Sequence, residues 1–230
     1  ICVFDGQIFN ADQLISDFSL PNSKYKQGAV IVELYELLGK KFIDHLTGIF
    51  SIILVDCTNN SLVVARDMVG VKPLYWVNSI KGLVFSSCMT AIPKELLPEV
   101  NIFPPGGVWI NDGFKHITAQ KVELTHNIER VMRASISDNI PKSVSWGLSL
   151  SGGIDSSIIA AIAKNLGHSF PCYVFDAGAG GDLSAAKEVA EHLGLSLRVV
   201  EPSKKEIKIA LPLIVKALAA FRSEIIYGAL

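Results

Sequence analysis

Ser151-Gly152-Gly153-Ile154-Asp155-Ser156-Ser157 is the stretch on which the reading of the chain turns. The segment Val144 to Leu150 before it reads as a strand ending in Leu148 and Leu150. Ile158-Ile159-Ala160-Ala161 after it continues a helix. A strand, a Gly-rich loop and a helix start together make a natural anion site. Glycines let the backbone approach phosphate closely, and the free N–H groups of the first helical turn point at it. Ser151, Ser156 and Ser157 add hydroxyl donors. Bare phosphate would repel Asp155, so its carboxylate is expected to hold Mg2+. The loop lacks the GxxxxGK[ST] of a Walker A motif and is not GxGxxG. A serine/glycine turn with an aspartate cap is the plain alternative. The match over the whole loop, at a strand–helix junction, favours phosphate.

Outward from the loop, strands and helices alternate. Asn127 to Ile140 is an amphipathic helix with Ile128, Val131, Met132, Ile136 and Ile140 on one side. After the loop come a helix to Leu166, a strand Cys172–Phe175, a helix Leu183–Leu193, a strand Leu197–Val200 and a helix Lys204–Ala220. That order implies a parallel sheet with crossover helices. The first half is β-rich instead. Ile1–Phe4 reads as a short strand with a turn at Asp5-Gly6, and Ala29–Leu38 has helical spacing stopped by Gly39. Phe50–Val55 and Ser61–Ala65 form a hairpin around Asp56-Cys57-Thr58-Asn59-Asn60. Leu74–Trp76 pairs with Leu83–Phe85 around a turn near Ser79–Gly82, and Val108–Ile110 is a further strand after Pro104-Pro105-Gly106-Gly107. The fold class is therefore α+β followed by α/β. The domains are 1–120 and 121–230, with the boundary near residues 118–124.

Composition supports a globular, core-rich protein: 50% of the 230 residues are hydrophobic and 19% are charged. A net charge of −1 provides no basic field for nucleic acid or an anionic membrane. No apolar run reaches membrane-spanning length and no secretory signal is visible. The four cysteines include no CxxC pair, so a zinc site is not expected. Cys57, Cys88 and Cys172 lie in apolar surroundings and read as buried thiols, which suits the cytosol. Cys2 reads as core packing. His45, His116, His126, His168 and His192 are scattered and form neither a metal set nor a triad. Ile1-Cys2-Val3-Phe4 reads as mid-strand, so the sequence is expected to be part of a longer one.

The loop is the signature of the ATP-pyrophosphatase (PP-loop) family, and the residues before it resemble the asparagine synthetases. Phe4-Asp5-Gly6-Gln7-Ile8-Phe9-Asn10 is similar to their Y-N-G-E-I-Y-N, and Leu46-Thr47-Gly48-Ile49-Phe50-Ser51 to L-x-G-x-F-A. Ala65-Arg66-Asp67-Met68-Val69-Gly70-Val71-Lys72-Pro73-Leu74-Tyr75 resembles A-R-D-R-x-G-x-K-P-L-Y. Asp182-Leu183-Ser184-Ala185-Ala186 through His192-Leu193-Gly194 resembles D-L-x-A-A … H-L-G. The resemblance implies a class II glutamine amidotransferase domain, an N-terminal nucleophile-type sandwich of antiparallel sheets. A PP-loop domain with a parallel sheet and flanking helices would follow. It also implies ATP and Mg2+ as cofactors and small-molecule partners: ATP, aspartate or another carboxylate, and ammonia or glutamine. By position, Leu150 and Phe175 would contact adenosine, Ser151 to Ser157 the phosphates, and Asp155 magnesium as the catalytic residue. A homodimer is left open. Arg66, Asp67 and Lys72 read as a structural cluster ordering a turn beside a core strand.

The glutamine site departs from the pattern. The family's oxyanion-binding Asn falls on Asp5, whose carboxylate only accepts hydrogen bonds and would oppose a developing oxyanion. Gly6 is kept, the family's Glu falls on Gln7, and its second acid falls near Gln27. Without those carboxylates the charge-assisted bonds to a substrate ammonium are lost. No glutaminase activity is therefore expected. Leu218 to Ser223 lacks both acids of the family's L-E-x-x-D-P, and the G-x-G-x-D-E-L-F-G-G segment is not in this sequence. Arg222 and Glu224 read as exposed helix-end charges. Three readings stay open: an asparagine synthetase using ammonia, an amide synthetase of the β-lactam synthetase kind with a scaffold glutaminase half, and a silent nucleotide-binding homologue.

Overall fold

A computed structural model describes residues 1–21, 27–80, 82–111, 113–116, 127–141, 144–176 and 182–218. The chain divides into two compact units, Ile1–Glu123 and Leu124–Leu230. The stretch around residues 118–124 lies outside the described residues. So do residues 219–224 at the far end.

The first unit is built on a five-stranded antiparallel sheet. Its strands are β1 (Cys2–Ile8), β2 (Gly48–Asp56), β3 (Ser61–Arg66), β7 (Gly107–Ile110) and β8 (Gly113–His116), in that spatial order. A second sheet carries β4 (Tyr75–Ser79) between β5 (Gly82–Ser86) and β6 (Asn101–Ile102). Alternation along β2 and β3 sends side chains to two cores. Ile52, Leu54, Val63 and Ala65 pack with Leu14 of α1 (Ala11–Phe18) and with Val30, Ile31 and Leu34 of α2 (Gln27–Leu38). Ile53, Leu62 and Val64 face the other way, onto Leu74, Trp76, Phe85 and Phe103. Helices, sheet and sheet therefore form three layers.

The predicted turn at Asp5-Gly6 is not a turn. Both residues lie in β1, with Asp5 opposite Ser51 and Gly6 opposite Phe50. Gly6 has φ +144, and a Cβ there would stand 2.1 Å from the Ile49 carbonyl oxygen. This glycine brings two backbones together instead of reversing the chain. The buried-thiol reading also needs correction: Cys172 is buried, Cys88 is half-buried and Cys57 is exposed.

Cys57 is exposed because it belongs to the β2–β3 turn. The Asp56 carboxylate accepts from the Thr58 N–H at 2.9 Å, the Asn59 N–H at 3.1 Å and the Asn59 side chain at 2.7 Å. Tyr35 adds its hydroxyl at 3.0 Å. The Asn59 side-chain bond, then its backbone bond, holds the Asp56 carboxyl down to about 2 from an ordinary 3.8. A depressed folded pKa gives stability that is complete above the unfolded value and lost as pH falls through the folded one. Acid unfolding of Asp56→Asn should therefore show a flatter pH dependence than wild type between pH of about 4 and about 2. Parallel curves in that window would show that the turn gains nothing from the charge.

Arg66 and Asp67 close the end of β3, and both are buried. The guanidinium donates to three carbonyls: Lys72 at 2.6 Å, Phe103 at 2.7 Å and Gly70 at 2.7 Å. The Asp67 carboxylate accepts backbone N–H bonds from Phe50, Val69, Gly70, Val71 and Lys72. The two side chains act as a mould for the turn that follows, the structural role expected of them.

In the second unit β9 (Leu148–Ser149), β10 (Cys172–Phe175) and β11 (Leu197–Val200) form a parallel sheet with β10 in the centre. Its helices are α3 (Ile128–Asn139), α4 (Ile154–Asn165), α5 (Asp182–Leu193) and α6 (Lys204–Leu218). β9 is shorter than the predicted Val144–Leu150. The Leu148 N–H bonds to the Pro171 carbonyl, and proline has no N–H with which to continue the ladder. Trp146 instead stacks its ring on Phe170 at 4.5 Å. Leu150, Ala160, Ala163, Cys172, Val174, Ala186 and Ala190 form the core.

Candidate functional site

The loop 151–157 leaves the carboxyl end of β9, the side of a parallel sheet on which α/β proteins bind ligands. Leu150 is fully buried, and its N–H bonds to the Tyr173 carbonyl at 2.8 Å, fixing the point of departure. Gly152 takes φ +77, a left-handed conformation that favours glycine. Gly153 is the N-cap of α4, and no side chain caps the helix. The first N–H groups of an α-helix have no acceptor within it, so Ile154, Asp155 and Ser156 turn theirs outward.

The serine hydroxyls, expected from sequence as ligand donors, serve the loop itself in this structure. Ser151 Oγ accepts from the Gly153 N–H at 3.3 Å and lies 3.2 Å from Ser156 Oγ. The Ser156 and Ser157 hydroxyls donate to the Gly153 carbonyl at 3.2 and 2.8 Å. These bonds hold the loop open around the backbone donors. Asp155 is exposed in the first turn of α4. Phe175 sits at the carboxyl end of β10, one strand from Leu150, with a 40% exposed side chain. The fold thus brings Leu150, the loop, Asp155 and the end of β10 to one edge of the sheet. An exposed carboxylate and half-buried hydroxyl oxygens beside the first N–H groups of a helix are oxygen donors of the kind that could hold Mg2+.

Asp5, Gly6, Gln7 and Gln27 meet in the first unit, but the polar side chains at the ends of this set are already engaged. Asp5 forms an ion pair with the Lys72 ammonium at 2.9 Å. Gln27, from the start of α2, behaves like one residue of an added strand. Its Oε1 accepts from the Ile8 N–H at 2.9 Å and its Nε2 donates to the Ile8 carbonyl at 3.3 Å. Gln7 lies between them on β1, opposite Ile49. Among the described residues no group of three or more His, Cys, Asp or Glu could hold a metal ion.

Residues 1–137 match the glutamine amidotransferase domain family, and residues 127–227 match the asparagine synthase family. The chain belongs to the asparagine synthetase family. It is 34% identical to a glutamine-hydrolysing asparagine synthetase of Asparagus officinalis, over 84% of this chain and 37% of that one. It is 33% identical to one from Brassica oleracea and 30% identical to one from Lotus japonicus, with the same coverage. The chain thus spans 37% of the length of these relatives. Among solved structures, it aligns with the glutamine phosphoribosylpyrophosphate amidotransferase from B. subtilis at TM-score 0.43 and 16% identity. That alignment covers 89% of this chain and 49% of the other.

Two features of this asparagine synthetase homologue escaped sequence reasoning. Lys72 joins the Arg66–Asp67 cluster through its backbone, as expected, and its ammonium in addition reaches back to Asp5 near the start of the unit. Gln27, which the sequence marks only as the place of a lost acid, completes a backbone ladder. Neither has a local signal, because each depends on which strand lies beside which. Among the described residues, no helix is long and apolar enough to cross a membrane.

Proposed function

We propose that the loop Ser151–Ser157 binds the phosphates of ATP and that the protein is an ATP-dependent amide synthetase. The open N-terminus of α4, framed by a left-handed glycine and an exposed Asp155, carries this reading. In the reaction, a carboxylate oxygen of the substrate, aspartate by the family reading, attacks the α-phosphorus of ATP. The bond from that phosphorus to the bridging oxygen breaks and pyrophosphate leaves. Ammonia then attacks the acyl carbon, AMP leaves with the bonding pair, and the nitrogen loses a proton. The N–H groups of Ile154, Asp155 and Ser156 would oppose the charge of the phosphates, and Asp155 would position Mg2+. Bound there, the ion would neutralise charge on the leaving pyrophosphate. Leu150 and Phe175 would flank the adenosine. On this reading residues 1–120 are a glutaminase-type sandwich, residues 121–230 a PP-loop domain, and the protein works in the cytosol.

The first unit is read as a scaffold that does not hydrolyse glutamine. Asp5 is neutralised by Lys72 and Gln27 is committed to Ile8, so neither offers a free charge to a substrate ammonium. This observation equally favours an amide synthetase of the β-lactam synthetase kind, where the first half only supports the second.

The test is to incubate the intact protein with Mg-ATP and aspartate, with ammonium or glutamine, and to quantify pyrophosphate, AMP and asparagine. Pyrophosphate is expected, with asparagine from ammonium alone. Asp155→Ala should lower pyrophosphate formation on the order of a hundredfold or more, the scale of losing one electrostatic stabiliser of a transition state. Asparagine from glutamine would refute the scaffold reading. Pyrophosphate without asparagine would indicate another carboxylate. ATP binding without pyrophosphate would leave a silent nucleotide binder.

A further inference from the structure

Gly152 is not free in space. Its φ is +77, and a Cβ built on it would stand 2.4 Å from the Ala185 carbonyl carbon, 2.5 Å from the Ala185 Cβ and 2.6 Å from the Ala186 nitrogen. All three atoms belong to one turn of α5, so the loop's left-handed residue lies directly on that helix. The helix is itself fixed. Ala186 is fully buried and Ala190 nearly so, and both pack with Cys172 and Val174 of β10. Ala185 is the neighbour of that anchored residue and is only half-buried. It faces the loop, where a side chain larger than methyl has no room while Gly152 stays in place.

We propose that Ala185 is a positioning residue for the anion loop: its small side chain lets α5 back Gly152 and so sets the direction of the donors that follow. The chain of contacts is short. Ala185 bounds Gly152, and Gly152 leads into Gly153, whose N–H is held by Ser151 Oγ at 3.3 Å. Gly153 in turn caps α4, whose first N–H groups are the anion donors. A rigid backing keeps these groups aimed before ligand arrives, and such preorganisation lets backbone donors bind without reordering. Ala185 touches no ligand in this account. The proposal deepens the reading of the loop as a phosphate site and rests on it for the identity of the ligand.

The experiment compares Ala185→Val, Ala185→Gly and Glu188→Val in the intact protein. Three quantities are measured for each: thermal stability, the backbone amide resonances of Ser151 to Ser157 without nucleotide, and the affinity for Mg-ATP. Glycine is a poorer helix former than valine, but it leaves the space beside Gly152 open. Valine fills that space. Glu188 is an exposed position on the same helix, and its replacement by valine carries the same β-branched penalty away from the loop.

Ala185→Gly should therefore keep wild-type loop resonances and bind Mg-ATP within about twofold of wild type, even though glycine weakens the helix. Ala185→Val should shift the loop resonances and weaken binding by about tenfold or more, the scale on which loss of an outer-shell support weakens a metal site. Glu188→Val should leave both unchanged. Loop resonances unmoved in Ala185→Val, or a loss of Mg-ATP affinity in Ala185→Gly equal to that in Ala185→Val, would overturn the proposal. Absence of Mg-ATP binding by wild type would instead sink the phosphate reading, while the resonances would still decide whether Ala185 positions the loop.

Discussion

Asp67→Ala is expected to destabilise the first unit by about 3–5 kcal/mol, the loss typical when one partner of a buried, multiply bonded charge is removed. The side chain is 1% exposed and receives N–H groups from both β2 and the turn after β3. Alanine would leave those donors facing a void. Only Gly70 keeps a partner from the same residue, the Asp67 backbone carbonyl at 3.0 Å. Asp67→Asn separates shape from charge. It fills the same space, but its NH2 group must face donors on one side, so an intermediate loss is expected. Denaturant unfolding in a Trp146→Phe background would follow Trp76 and Trp109, the tryptophans of the first unit. An Asp67→Ala midpoint equal to wild type would mean that water satisfies the turn as well as the carboxylate does.

Gly152→Ala is expected to abolish measurable Mg-ATP binding. Two penalties act at one atom. An alanine at φ +77 sits in a strained region, costing about 1–3 kcal/mol. The new methyl also meets the backbone of α5 at 2.4 Å, where no flexible side chain can yield. The loop must therefore lift from the helix and carry the N-terminal donors of α4 with it. Calorimetry with Mg-ATP, alongside a thermal melt, tests this. A folded Gly152→Ala protein that binds Mg-ATP like wild type would show that the loop's shape does not govern the site.

Lys72 shows how far local reading extends. The stretch from Arg66 to Tyr75 is recognisable as a turn-forming unit, and its buried Arg66 and Asp67 make the bonds such a unit needs. The destination of the lysine side chain is not local. It depends on β1 lying beside β2, which places Asp5 opposite Ser51, with Arg66 opposite Ser51 from the other side. Asp5-Gly6 forms no turn for the same reason. A dipeptide that favours a turn in isolation became mid-strand because Gly6 lets β1 approach β2 closely. α1 and β8 have no strong local signal either: α1 is short, and β8 exists only by pairing with β7.

By itself the sequence determined the chemistry that fits within a few adjacent residues. This comprises the Gly-rich loop between strand and helix, the alternation that makes a parallel sheet, and the substitutions at 5, 7 and 27. These are legible because glycine conformation, side-chain periodicity and donor type are properties of short segments. Tertiary structure alone decided which charges are free and which are used. It paired Asp5 with Lys72, gave Gln27 to the edge of β1, turned the loop's serines inward and set Gly152 on Ala185. Each of these depends on a contact between segments distant in the chain, and such contacts form only when burial of the shared cores brings the strands and helices into register.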